Sequence, residues 1–388
     1  MGPDRSREEA FLAGAARAFV WGEPQDSLEA AARSLDWEWV LRRAEAERFA
    51  PILYAACRRL PLGTDVLERL RRAWVASHRQ HLLGLEQLRE LFSSFEPESV
   101  PAIPLKGPAL GEALYPDPGL RPFTDLDLLV PETDLARTLE LLSALGYRHL
   151  QGGRPLAYEV AYAGAACFVR REKSSEDLPL DVHWRLLDHL SGSRAAAVDL
   201  QEVWTRAIKV EGWGWPMLAL CPEDLLLYLA LHLAFHHALS GIVWELDLAL
   251  LLRRHGGALD WEAVVERARR WRMAGALYFA LRRVQERFGV GPPPPLFTRL
   301  RPRGPRAWVL EGLLRRSARG LERLDYLVPL LLMDRGSDLL ALCATAALPS
   351  RGWARARYAR RPLAGAYAAH YGRVAQVCAR TVRAALGR

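Results

Sequence analysis

Hydrophobic positions recur at helical spacing up to about residue 97, alternate between about 98 and 210, and return to helical spacing from Pro222. In the first segment, residues 35–41 predict a helix start with Asp36 as its N-cap, and a second helical section follows Pro51 toward Arg59. Residues 61–65 read as a turn. Leu67, Leu70, Trp74, Leu82, Leu85, Leu88 and Phe92 then predict one long amphipathic helix over 66–95. The middle segment predicts strands at 101–105, 125–130, 158–162, 166–171 and 180–184, with a helix over 132–145 that Gly146 stops. Residues 173–177 read as a polar, hairpin-like connection. Helices follow at 223–239, 243–255, 260–271 and 273–288, then a Pro-rich break at 289–295 and a last helical segment from Phe297 to Arg388. No internal repeat is visible. The order predicts an α+β fold, with a small mixed sheet at 98–210 set between helical regions at 1–97, 211–290 and 291–388.

Strand alternation sorts the acidic residues of the middle segment. Asp125 and Asp127 share one face of their strand with Leu129, while Leu126, Leu128 and Val130 share the other. Two steps of strand rise put the two carboxylates about 7 Å apart at the Cα level. Like charges that close repel, and a divalent cation is the usual means of keeping both ionised. On the later strand Leu180, Val182 and Trp184 share one face, leaving Asp181 and His183 on the other.

Composition changes this picture little. Half the residues are hydrophobic and a quarter charged, as in ordinary globular proteins. The +8 formal charge suits a phosphate-bearing partner, but the arginines are dispersed, so nucleic acid is possible as a partner without being favoured. Lysine occurs only at positions 106, 173 and 209, which singles out Lys106 beside the first strand. Five widely spaced cysteines without a C-x-x-C pair, no signal-peptide pattern and no uninterrupted apolar span predict a cytoplasmic protein with reduced thiols. His232 and His236 have a zinc-compatible helical spacing, yet no third soft ligand accompanies them, and the surrounding Leu229, Leu233 and Phe235 favour a packed helix. Trp37, Trp39 and Trp74 read as core.

Leu105-Lys-Gly107, then Arg121-Pro-Phe-Thr-Asp-Leu-Asp-Leu-Leu-Val130, then Asp181-Val-His-Trp184 resemble the motifs of the DNA polymerase β nucleotidyltransferase superfamily. Within it they are similar to one large, poorly characterised bacterial family. His232, Val243-Trp-Glu-Leu-Asp-Leu248, Asp260-Trp261 and the stretch 349–358 extend the likeness. Pro108 stands where the superfamily usually has Gly or Ser, and 18 positions separate Gly107 from Asp125, more than the common spacing.

The resemblance implies a polymerase-β-like core and Mg²⁺- or Mn²⁺-dependent transfer of a nucleoside monophosphate from an NTP such as ATP. The acceptor would be a hydroxyl of a small molecule, peptide or protein, and pyrophosphate would leave. It assigns Asp125, Asp127 and Asp181 to the metals, with Asp181 also activating the acceptor hydroxyl. Lys106, Gly107 and Arg121 would hold the triphosphate, Gly107 by backbone approach and Arg121 as a fork. The alternative within the same fold is a nucleotide- or RNA-binding regulator with little or no catalysis.

Overall fold

The computed structural model describes residues 5–23, 28–150, 154–170, 177–187, 196–212, 214–316 and 327–385. Of the 173–177 connection, residues 173–176 lie outside that set. The N-terminal region is helical as expected: α1 (Ser6–Trp21), α2 (Glu29–Ala32), α3 (Trp37–Ala46), α4 (Ala50–Cys57) and α5 (Thr64–Phe95). Asp36 caps α3 by accepting from the Trp39 N–H, and Pro51 sits in the first turn of α4, where its missing N–H costs nothing.

A five-stranded mixed sheet carries the middle of the chain. Its strands are β1 (Ile103–Pro104), β2 (Leu126–Leu129), β3 (Tyr147–His149), β4 (Ala165–Arg170) and β5 (Leu180–His183), in the order β1-β2-β5-β4-β3. Only β2 and β5 run parallel, and their register sets Asp127 against Asp181 and Leu129 against His183. The alternation read from sequence holds. Leu126, Leu128 and Val130 join Leu180, Val182 and Trp184 in one buried cluster with Leu88, Leu91 and Phe95 of α5. Gln87 of α5 ties that layer: its amide donates to Tyr147 Oη and Leu178 O, both at 2.8 Å, and accepts from Leu178 N at 3.0 Å.

Between the strands lie α6 (Pro108–Leu114), α7 (Leu135–Ala144) and α8 (Leu156–Tyr162). The last of these corrects an expectation, since residues 158–162 form no strand. Leu156 and Val160 pack toward the sheet, while Tyr158 meets Trp353 of the C-terminal region edge-on at 5.9 Å. The expected helix at 132–145 begins as a 3₁₀ turn (Glu132–Asp134) before α7. Several elements had no sequence expectation: β3, a short helix at Leu200–Arg206, and a hairpin of β6 (Ile208–Gly212) with β7 (Trp215–Ala219).

Helices then return at Pro222–Leu231, Ile242–His255, Trp261–Arg270 and Ala274–Phe288. The expected continuous helix to Leu239 does not form. It passes at His232–His236 into a π-turn and ends there. The Pro-rich break is shorter than expected, because Pro294 already opens the helix Pro294–Leu300. One large apolar cluster gathers α1, α3, α4 and the helices from 222 to 288, with β1 against it.

A buried ion pair fixes the loop before β2 onto this helical layer. Arg121, 3% exposed, donates through Nε and Nη2 to the two oxygens of Asp247 at 2.9 and 2.8 Å. Tyr115 Oη donates to the same carboxylate at 2.8 Å, and Arg121 also reaches the Gly107 carbonyl at 3.4 Å. Removing one partner would leave a buried charge uncompensated. We therefore expect Asp247→Ala to lower stability by about 3–5 kcal/mol and Tyr115→Phe by about 1 kcal/mol. Urea unfolding measures both, and an Asp247→Ala loss under about 1 kcal/mol would contradict this role for the pair.

Candidate functional site

The polar face of the sheet opens onto a cavity of about 310 Å³ that Lys106, Gly107, Asp125, Asp127, Asp181 and His183 line from one side. Arg48, Tyr228, His232, His236, His237 and Trp244 line it from the helical side, with Glu47 beside Arg48. The β2–β5 register explains the first group, since neighbouring parallel strands place Asp127 and Asp181 on one face and His183 two residues on. Ligand atoms of Asp127, Asp181 and His183 all lie within 4.8 Å of one another, and theirs is the cluster among the described residues able to hold a metal ion. Asp125 precedes β2, lines the same cavity and stands outside that cluster, with its carboxylate 3.3 Å from Thr124 Oγ1.

Asp127 is 4% exposed and heavily compensated. Lys106 Nζ lies 2.8 Å and His183 Nε2 3.0 Å from its Oδ1. Burial alone would push this carboxyl up, but the Lys106 charge and the His183 hydrogen bond hold it well below the usual carboxylate range. Burial likewise pulls His183 down, and Asp127 more than offsets it, so the imidazole binds its proton more tightly than usual. Asp125 shifts upward through burial and the neighbouring Asp127 charge. Two buried atoms at the cluster have no hydrogen-bond partner: Asp181 Oδ1 and His183 Nδ1.

The expected triphosphate residues divide. Gly107 caps α6 at φ 60° and ψ −128°, a backbone region suited to glycine, and Pro108 opens the helix directly after it. Lys106 reaches the cavity but is engaged by Asp127. Arg121 also lines the cavity, but it is engaged elsewhere. Its guanidinium belongs to Asp247, and a phosphate there would have to displace a buried carboxylate already bound at both oxygens.

Sequence reasoning missed most of the histidine wall. His232 and His236 do share a face, with rings stacked 5.0 Å apart, but on a π-turn and inside the cavity. His237, given no role by spacing, packs flat on Trp244 at 3.3 Å, and its Nε2 lies 3.0 Å from His232 Nε2. Lys106 Nζ approaches that same His232 nitrogen at 3.5 Å. An ammonium only donates, so His232 accepts at Nε2 and His237 supplies a proton to it. Burial, with the charges of Lys106 and the other histidines, holds His232 well below its ordinary pKa. Burial, His236, Lys106 and Arg48 lower His237 to about 3. Both are neutral at physiological pH.

The backbone that presents this wall is strained. Ala238 and Leu239 have φ of 47° and 60°, which non-glycine residues rarely adopt. Gly241, at φ 111°, has no room for a Cβ, which would meet the Trp244 ring at 2.0 Å. A π-turn followed by left-handed residues is the one pattern that marks this segment, and neither is visible in hydrophobic spacing.

A family model described as an uncharacterised nucleotidyltransferase matches residues 33–289, well over half of the chain. The matched stretch includes every residue of the cavity and stops short of the 349–358 stretch that the motif likeness had drawn in. No curated protein matches the chain. With its paired aspartates on the polar face of a small mixed sheet, the chain belongs to this uncharacterised nucleotidyltransferase family.

Proposed function

We propose that the protein moves a nucleoside monophosphate from an NTP, with ATP the first to test, to a hydroxyl of a small-molecule, peptide or protein acceptor. The core would be polymerase-β-like. The observation that carries this reading is the in-register pairing of Asp127 with Asp181 across parallel strands, with His183 beside them. The residues suit a divalent cation: Asp181 Oδ1 is buried without a partner, and two carboxylates with one imidazole accept Mg²⁺ or Mn²⁺. Asp127, Asp181 and His183 would hold it, with Asp125 at hand for a second. When bound, such an ion would neutralise charge on the transferring phosphoryl group and on the departing pyrophosphate.

The chain's own groups supply the remainder. Asp181 would take the acceptor's proton as its oxygen bonds to the α-phosphorus and the bond from that phosphorus to the bridging oxygen breaks. Pyrophosphate carries away the electron pair of that bond. Lys106, held at Asp127, would be drawn toward the triphosphate as a point charge. Gly107 leaves the turn after β1 without a Cβ, so backbone can approach a phosphate there. The direct test is a panel of α-phosphate-labelled NTPs incubated with protein and cell extract, with Mg²⁺, Mn²⁺ or EDTA. Metal-dependent labelling of an acceptor supports transfer. Tight NTP binding without any labelled product would favour the regulator instead.

Two further outcomes follow. Mn²⁺ or Mg²⁺ should raise the thermal midpoint of the wild-type protein, more so with ATP, since a ligand at a hundred times its Kd adds about 2.7 kcal/mol. Asp127→Asn should lose that gain, and a metal-dependent shift as large as the wild type's would count against the site. Asp181→Asn should keep NTP affinity within about threefold while turnover falls about 10²- to 10⁴-fold, the range for losing a general base. Transfer by this variant at the wild-type rate would remove Asp181 from the chemistry.

A further inference from the structure

Among the described residues, three cationic side chains of Lys or Arg line the cavity: Arg48, Lys106 and Arg121. Two are spoken for, Lys106 by Asp127 and Arg121 by Asp247. Arg48 is exposed and, among the described residues, has no carboxylate partner. Its neighbour Glu47 does not serve it, because that carboxylate binds Arg43 and accepts from the Ile242 N–H at 3.2 Å.

The backbone at Arg48 adds a second, independent observation. It follows the C-cap of α3 at φ 56°, with its N–H on Glu45 O at 3.0 Å and the Phe49 N–H on Ala44 O at 2.7 Å. Those paired bonds form a Schellman motif, whose left-handed position glycine fills best. Arginine there is strained. The molecule contains a comparator in Arg272, at φ 58° after the helix Trp261–Arg270, with the same two-bond closure. Arg272 has an evident structural task, since its guanidinium meets Asp338 at 3.3 Å. Arg48 instead faces the cavity, close enough that its charge acts on His237.

We propose that Arg48 is the guanidinium that grips the triphosphate tail of the nucleotide, the task that the motif resemblance gives to Arg121. This rests on the nucleotidyltransferase reading above. A guanidinium fork matches phosphate oxygens in pairs, and a long exposed side chain can follow the β- and γ-phosphates without disturbing the core. The neutral histidines beside it add no competing carboxylate. The N-terminal helical region, which also brings Glu47 to the cavity wall, thereby contributes a specificity residue to a site whose candidate metal ligands come from the sheet.

The strained backbone makes the test clean. Arg48→Gly should fold at least as stably as the wild type, because glycine relieves the left-handed position. The readout is isothermal titration with ATP, GTP, CTP and UTP in the presence of Mg²⁺, then with the monophosphate of the tightest binder. Affinity for the triphosphate should fall about tenfold or more, the factor one charge-assisted hydrogen bond is worth. Affinity for the monophosphate should change less than about twofold, Arg48→Lys should fall between wild type and Arg48→Gly, and Arg272→Gly should leave binding unchanged. If Arg48→Gly binds the triphosphate as well as the wild type does, the proposal falls and the enzyme reading stands. Equal losses for tri- and monophosphate would place Arg48 away from the tail and overturn it. If the wild type binds none of the four NTPs, the enzyme reading fails and takes the proposal with it.

Discussion

Burying the Asp127 carboxylate is the demand from which the rest of the site follows. A carboxylate taken out of water costs several kcal/mol unless opposite charge and hydrogen bonds replace the lost hydration. Two groups answer that demand at one oxygen: Lys106 from the turn after β1 and His183 from β5. Their convergence requires the sheet order in which β2 lies between β1 and β5. The same rule governs the helix Ile242–His255, where Glu245 and Asp247 are both essentially inaccessible. Arg283 and Arg287 answer Glu245, and Arg121 answers Asp247. The sheet and the helical layer are thus joined by compensated charge as well as by apolar packing.

Much of this was legible in the chain. Period-two alternation gave the faces of β2 and β5, because each strand buries a continuous apolar side against α5. The cap at Asp36 was readable because its hydrogen bond is local, accepting from an N–H three residues on. What could not be read depends on distant partners. Arg121 meets Asp247 across 126 positions, so its neighbours Pro122 and Phe123 say nothing of that engagement. Residues 156–162 form a short apolar run that suits strand or helix alike, and contact with Trp353 helps place it. The β6–β7 hairpin is equally short, with turn chemistry at Gly214 that hydrophobic spacing does not register.

Backbone strain is concentrated where the helical side of the cavity is built. Arg48, Ala238 and Leu239 are three of the five non-glycine residues with positive φ among those described. Ala238 and Leu239 are buried, so tight packing offsets the unfavourable conformation and holds His237 on Trp244. Local preference and global structure disagree at these positions, which is where function is expected to leave its mark. The sheet side supplies compensated acids, while the helical side supplies neutral imidazoles, an indole face and an arginine without a carboxylate partner among the described residues. That asymmetry suits a ligand with a cation-bound anionic portion and an organic portion.

The central claim is that Asp127, Asp181 and His183 form a cation site at which a nucleotide is bound. Anomalous diffraction from crystals soaked with Mn²⁺ and a non-hydrolysable ATP analogue tests it most directly. The account predicts a manganese peak within bonding distance of Asp127 and Asp181, the Lys106 ammonium displaced from Asp127 Oδ1, and phosphate density beside the metal. Nucleotide density elsewhere, with Lys106 still on Asp127 and no manganese peak between the two aspartates, would contradict it.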